Sequence, residues 1–256
     1  ARLGGRAVFL GAVGDDRLGG RLVAGLRAER VTVHAVRMRG TSARLVVVVS
    51  RDGERSFLTD RGVADGMSAG AVRSSWVSSA DVLHVPVYSL LAEPLASAAE
   101  RGASLVHRAG GLVSLDLSSA RPLLMAGRRA AQSMVARVAP DVLFGNTQEV
   151  AALVGAAGES RLLDLAPLVI VKLGPDGCRV RSRGSSVVVE VATRRLVAAD
   201  TTGAGDAFDA GFLHALIGGG YSADGGVAPS LLRRAALAGH RAAARVLTAP
   251  RVELML

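Results

Sequence analysis

Short runs of apolar and β-branched residues alternate along this chain with longer segments whose apolar positions recur every three or four residues. Residues 7–13 are predicted to form a buried strand, and residues 17–29 a helix. Further strands are predicted at 81–86, 111–116, 141–144, 167–172, 178–182 and 186–191, with helices at 90–102, 122–137, 147–154, 204–217 and 229–247. Such alternation predicts an α/β fold, a mostly parallel sheet with helices on both faces.

One segment interrupts the alternation. Residues 31–36, 43–50 and 54–59 each have the pattern of a strand, with no helical pattern between them, and Asp52-Gly53 is a hairpin-turn signal. We therefore predict an α/β domain of residues 1–30 and 63–256 and a small β lid of residues 31–62. Alternating apolar residues in the lid leave one side free to pair, which would allow a homodimer.

Composition excludes several classes of protein. Half of the residues are hydrophobic, which is ample for a packed core and excludes a wholly disordered chain. The net charge of +9 is carried by scattered arginines, and the 3% aromatic content offers no base-stacking platform, so we expect no nucleic-acid partner. The single cysteine, Cys178, excludes an intrachain disulfide and fits a cytoplasmic protein. The longest uncharged apolar stretch, 210–223, is too short to span a membrane.

The most informative segment for function is residues 200–208, a glycine-containing turn that leads directly into a helix. Gly203 and Gly205 allow a ligand to approach the backbone closely, and the N–H groups and dipole of a helix start attract an anion. Asp206 would repel a resting anion there, but it makes sense as a base beside a transferring phosphoryl group. The alternative is that Thr202 or Asp206 simply caps the helix.

This segment, DTTGAGDAF followed by Ala-Gly-Phe at 210–212, closely resembles the C-terminal signature of the ribokinase-like (phosphofructokinase-B type, PfkB) carbohydrate kinases. Residues 4–19 resemble the second half of that family's N-terminal signature, residues 146–149 match its N-x-x-E motif, and residues 172–177 match its nucleotide-binding turn. The β insert, with Arg55, lies where the family has its lid. The resemblance implies a ribokinase-like fold and an ATP-dependent kinase acting on a hydroxyl of a sugar or sugar-like acceptor.

The resemblance also implies a role for individual residues. Asp206 would be the general base, and the phosphoryl charge would be held by the backbone N–H groups of Gly203, Ala204, Gly205 and Asp206. The nucleotide would be bound by Asn146, Lys172, Gly174, Gly177 and His240. Glu149 would organise Mg²⁺ through water, and Asp200 and Thr202 would hold a monovalent cation such as K⁺.

A purely structural role is the alternative for most of these residues. Asn146 with Glu149 fits a helix capping box, Gly174 and Gly177 fit a β-turn, and His240 fits a packed helix residue. The acceptor is left open between a sugar and a nucleoside of the adenosine or pseudouridine type. The family's first strand would lie before Ala1, so we expect a truncated record of an active kinase; the alternative is a nucleotide-binding remnant without turnover.

Overall fold

A computed structural model describes residues 1–49, 55–155, 158–196, 198 and 201–249. It divides into two compact units. Unit 1 comprises Ala1–Ser79 and Tyr88–Ala109, and unit 2 comprises Ala80–Val87 and Gly110–Leu256.

The described residues of unit 1 form two small sheets and two α-helices. Strands β1 (Val8–Gly14) and β2 (Thr32–Met38) pair in parallel, and helix α1 (Arg17–Ala28) connects them along the chain. Strands β3 (Arg44–Val49) and β4 (Arg55–Asp60) pair with each other as an antiparallel hairpin, and helix α2 (Leu95–Arg108) follows later in the chain. The three strands predicted in the β insert therefore all form, but β2 pairs with β1, so only β3 and β4 form the hairpin. The predicted Asp52-Gly53 turn lies outside the described residues.

The start of α1 is tied to the segment that leads into β3. The Asp16 carboxylate accepts hydrogen bonds from the backbone N–H of Gly19 (2.8 Å), the hydroxyl of Ser42 (2.7 Å) and the backbone N–H of Ser42 (3.0 Å). The same Ser42 hydroxyl accepts from the N–H of Gly14 at 3.0 Å. The hydroxyl of Ser42, followed by the two N–H groups, lowers the pKa of Asp16 to about 2 because these donors favour the ionised carboxylate.

Unit 2 is built on a six-stranded sheet in the order β10-β9-β8-β7-β6-β5. Neighbouring strands from β5 to β8 are parallel, and β9 is antiparallel to both β8 and β10. The strands are β5 (Val82–Pro86), β6 (Leu112–Asp116), β7 (Val142–Asn146), β8 (Leu168–Lys172), β9 (Cys178–Ser182) and β10 (Val188–Val191). The helices are α3 (Ala120–Ala126), α4 (Arg128–Val138), α5 (Thr147–Val154), α6 (Ala204–Gly218) and α7 (Pro229–Thr248). The predicted α/β class and mostly parallel sheet are confirmed.

Two predicted helices differ from the observed ones. The single helix predicted over 122–137 is divided into α3 and α4, because Gly127 has a φ of +80°, which no α-helix can contain. The helix predicted from residue 90 begins at Leu95, directly after Pro94, because proline is tolerated only at a helix start.

The core of unit 2 holds α6 close to the sheet and to α7. The Phe212 ring lies edge-on to Phe144 of β7, with 5.5 Å between ring centroids, and both side chains are fully buried. A Cβ atom on Gly211 would lie 2.7 Å from the backbone oxygen of Ala238, and one on Gly239 would lie 2.8 Å from the Phe208 ring. The two glycines therefore allow α6 and α7 to approach each other more closely than residues with side chains would.

Candidate active site

Three neighbouring parallel strands of unit 2 end in polar residues. Strands β6, β7 and β8 end in Asp116, Asn146 and Lys172, and the register places Asn146 directly beside Lys172. The first turn of α6 lies at the same edge, because a Cβ atom on Gly205 would lie 3.6 Å from Lys172 Nζ. Ligands of open α/β sheets bind beyond the carboxyl ends of the strands, so this edge is the candidate active site.

The turn before α6 presents backbone donors to solvent. Gly203 is the N-cap residue of α6. Its φ of +80° is a left-handed conformation that glycine adopts without strain. The N–H of Ala204 donates to the carbonyl of Thr201 at 3.1 Å, so it is already engaged. The N–H groups of Gly205 and Asp206 have no acceptor within the described part of the chain, and both residues are exposed. Two free donors at a helix start form an anion site.

Asp206 lies beside these donors with its side chain in solvent. Gly203, which has no side chain, is the N-cap residue of α6, so neither Thr202 nor Asp206 occupies the N-cap position. An exposed carboxylate next to an anion site is unfavourable for binding alone, but it suits a base that takes a proton from an approaching hydroxyl. Asp200 lies outside the described residues and Thr202 is exposed, so the monovalent-cation site stays a prediction.

Asn146 and Glu149 form the capping box that their spacing predicts. The Asn146 side-chain oxygen accepts from the N–H groups of Gln148 and Glu149, both at 2.9 Å. Each oxygen of the Glu149 carboxylate accepts from Asn146, one from its side-chain amide and one from its backbone N–H, both at 2.8 Å. Glu149 is only 5% exposed, and this burial raises the pKa of its carboxyl group.

The same carboxylate fits a water-mediated role toward Mg²⁺. Among the described residues, no group of three or more His, Cys, Asp or Glu side chains is placed to hold a metal ion by itself. Mg²⁺ that bridges phosphates needs only one or two protein carboxylates and keeps several waters. A carboxylate has about four lone-pair sites, and Asn146 uses two of those on Glu149, so a water can occupy another.

Lys172 is directed into the protein rather than into solvent. Its Nζ atom lies 3.1 Å from Asp116 Oδ2 and 3.1 Å from Asp209 Oδ2. The exposed fractions of the three side chains are 15% for Lys172, 7% for Asp116 and 1% for Asp209. Burial alone would lower the pKa of Lys172, but the two carboxylates raise it. Burial and the neighbouring charge of Asp116 raise the pKa of Asp209 well above its ordinary value.

Sequence reasoning missed Asp209. The available signal was weak: in α6 the only acidic residues are Asp206 and Asp209, and Asp209 lies between the core residues Phe208 and Phe212. A carboxylate at a core position of a helix needs a partner, and this chain has a single lysine to provide one.

The remaining predicted nucleotide-binding residues lie around the ends of β8 and β10. Gly174 has a φ of +60° and open space where a side chain would be. Gly177 has a φ of +106°, and a Cβ atom there would lie 2.1 Å from the carbonyl oxygen of Val191, so its backbone requires glycine. The ring of His240 is hydrogen-bonded through Nε2 to the same carbonyl at 3.1 Å, and it packs against Phe208 at 5.1 Å between centroids. Burial lowers the pKa of His240.

Comparisons with known proteins agree with this fold. The profile of the pfkB family of carbohydrate kinases matches residues 1–254. The chain is 32% identical over 228 residues to the protein named Probable fructokinase-2 of Arabidopsis thaliana, covering 85% of this chain and 69% of that one. Its structure is similar to adenosine kinase from Sinorhizobium meliloti, with a TM-score of 0.83, 27% identity and coverage of 98% and 76%. It shares its fold with an E. coli protein assigned as ribokinase II, in complex with ATP and Mg²⁺, with a TM-score of 0.81, 22% identity and coverage of 97% and 79%.

Proposed function

This chain belongs to the pfkB family of carbohydrate kinases, and on that premise we propose that it transfers the γ-phosphoryl group of ATP to a hydroxyl of a sugar or sugar-like acceptor. The observation that carries the proposal is the start of α6, where the exposed Asp206 carboxylate lies beside the N–H groups of Gly205 and Asp206, which have no acceptor among the described residues. Phosphoryl transfer needs a proton acceptor and donors that stabilise developing charge in one place, and this turn supplies both.

In this mechanism Asp206 orients the acceptor hydroxyl and takes its proton as the oxygen attacks the γ-phosphorus in line. The N–H groups at the start of α6 balance the charge that spreads over the phosphoryl oxygens. Mg²⁺, when bound with ATP, neutralises phosphate charge, and Glu149 would hold it through water. We assign the nucleotide site to Asn146, Gly174, Gly177 and His240, and a K⁺ site to Asp200 and Thr202.

A sugar is the first candidate for the acceptor, because the fructokinase of Arabidopsis is more similar in sequence than the adenosine kinase is. A nucleoside is the second candidate, because the adenosine kinase of Sinorhizobium meliloti matches 98% of the chain in structure. The test is a phosphorylation panel with full-length protein, ATP and Mg²⁺ against separate pools of sugars and nucleosides, with the product identified by mass spectrometry. ADP release with a phosphorylated sugar supports the first candidate, and a nucleoside monophosphate supports the second.

The phosphorylation panel, together with a melting measurement, separates an active kinase from a nucleotide-binding remnant. A ligand at about 100 times its Kd stabilises the native state by about 2.7 kcal/mol, so ATP with Mg²⁺ should raise the melting temperature in either case. ADP release in the presence of an acceptor then occurs only with the kinase. Absence of both the melting shift and the turnover would refute the nucleotide assignment.

The β3–β4 hairpin supports a homodimer in which the hairpins of two copies pack together. Its apolar side chains are exposed on both faces: Leu45 56%, Val46 56%, Val47 42%, Val48 48% and Leu58 65%. A monomer that exposes so many clustered large apolar groups is unfavourable, whereas a second copy of the hairpin is a complementary apolar partner. Sedimentation should show a dimer that V46E converts to a monomer. The matched control is L124E, at a residue of α3 that is 65% exposed, and it should leave the dimer intact.

We propose the cytoplasm as the compartment, since the only cysteine, Cys178, is buried and unpaired. No helix within the described ranges is long and apolar enough to cross a membrane.

A further inference from the structure

The buried Lys172 joins three elements that are distant in sequence. It is the last residue of β8, and its Nζ atom reaches Asp116 at the end of β6 and Asp209 on α6. Strand β7 lies between β6 and β8, so the lysine side chain crosses over the end of β7 to make these contacts. On its way Nζ lies 5.9 Å from the centroid of the Phe144 ring of β7.

This ion-pair cluster lies directly beneath the anion site. A Cβ atom on Gly205 would lie 3.6 Å from Lys172 Nζ, so the ammonium group supports the first turn of α6 from the sheet side. Asp206 and Asp209 are three residues apart on the helix and therefore lie on neighbouring positions of one face. Holding Asp209 in place fixes the rotation of the helix, and with it the direction of the Asp206 carboxylate.

The cluster is costly to bury, which argues that its geometry matters. One ammonium group and two carboxylates are almost completely removed from water. The free energy lost by desolvating such groups can exceed the free energy gained from their attraction, so stability alone does not explain them. The lysine is also less available for a ligand, because both carboxylates lie within hydrogen-bond distance of Nζ.

We infer that Lys172 is a positioning residue, which aligns the first turn of α6 for phosphoryl transfer through Asp209 and Asp116, rather than a group that binds the nucleotide. This inference rests on the proposed function. A misplacement of about 1 Å in a catalytic group costs about 100-fold in rate, so a loosened turn should lower kcat by about 10- to 100-fold.

The test compares K172M, D209N and the double variant K172M/D209N in the full-length protein. K172M leaves two buried carboxylates without a cation, so it should lower both the melting temperature and kcat. The double variant removes one cation and one anion, so the melting temperature should recover while kcat stays at least about 10-fold low and the KM for ATP changes by less than about threefold. K172R, which keeps the cation, should recover part of kcat.

A matched control breaks an ion pair away from this edge. R179M removes the contacts of Arg179 on β9 with Glu159 and Glu190, and it should lower the melting temperature without lowering kcat. Recovery of kcat together with the melting temperature in the double variant would overturn the proposal, because the role would then be structural. A KM for ATP raised about tenfold or more in K172M, at unchanged kcat, would also overturn it, because the lysine would then bind the nucleotide.

A second measurement does not depend on turnover. Hydrogen exchange should become faster in K172M/D209N than in wild type at the hydrogen-bonded amide of Ala207, which donates to the carbonyl of Gly203, and at the amide of the buried Phe208, with no matching change in α7. Unchanged exchange in this turn would overturn the positioning role even if the protein is an active kinase. If no acceptor is phosphorylated, the proposed function fails, and faster exchange still supports the alignment of the turn by Lys172.

Discussion

The substitution D206N separates a catalytic role of the α6 turn from a structural one. It keeps the size of the side chain and the helix start but removes the ability to accept a proton. Loss of a general base typically lowers kcat by about 10²–10⁴-fold, or roughly 2.7–5.5 kcal/mol of barrier. ATP affinity should be unchanged or tighter, because a negative charge beside the phosphates has been removed.

From the structure we expect D206N to change the free energy of unfolding much less than it changes the barrier to the reaction. Asp206 is exposed and is not the N-cap residue of α6, so the main loss in the variant is the interaction of a charge with the helix dipole. That interaction is worth about 0.3–1 kcal/mol, which for a chain of this size corresponds to a melting shift of at most about 4 °C. A 100-fold loss of activity could therefore not be attributed to unfolding.

The assay measures kcat, the melting temperature and the Kd for ATP of D206N beside wild type and D224N. Asp224 is an exposed carboxylate in the loop between α6 and α7, so D224N removes the same charge at the other end of α6 and should retain full activity. If D206N keeps more than about a tenth of the wild-type kcat, Asp206 is not the base and the reasoning from the α6 turn is refuted.

Three further predictions concern stability and ions. D16A should remove the contribution that the Asp16 carboxylate makes to stability. Because the pKa of Asp16 is lowered from 3.8 to about 2, this contribution is fully present above about pH 4 and is lost as the pH falls toward 2. Melting curves from pH 5 to pH 2 should thus converge for the variant and wild type, and curves that stay parallel would contradict this. G211A should lower the free energy of unfolding by about 1–2 kcal/mol, because its Cβ atom meets the backbone of α7 at 2.7 Å, whereas G218A, with open space around it in the same helix, should be neutral or stabilising in the same denaturant titration. Replacing Na⁺ by K⁺ should raise the phosphorylation rate of wild type but not of D200A; equal rates of wild type in both salts would leave Asp200 without a cation role.

Local features of the site could be predicted from sequence. The spacing of Asn146 and Glu149 was enough to predict a capping box, because a box depends only on residues within one helical turn. The Gly-rich entry to α6 was likewise evident, since Gly203 adopts its left-handed conformation at the predicted position. The fold class was predicted from the alternation of short apolar runs with helical patterns, because buried parallel strands are continuous apolar runs separated by helices.

Features that depend on strand order could not be predicted. Lys172 is separated by 56 residues from Asp116 and by 37 from Asp209, and only the order of the sheet and the packing of α6 bring the three together. The pairing of β2 with β1 had the same cause, because a strand pattern does not identify its partner. The break at Gly127 was missed because a glycine within a helical pattern is often tolerated.

Helix α6 has consequences for the thermodynamics of ligand binding. Its first turn carries the free donors, while Phe208, Phe212 and Leu216 further along the same helix are buried in the core. The turn therefore cannot melt extensively without exposing that core, and it belongs to the part of unit 2 that opens only at high free-energy cost. Donors that are already ordered pay little conformational entropy when an anion arrives, so more of the contact energy remains available to stabilise the transition state.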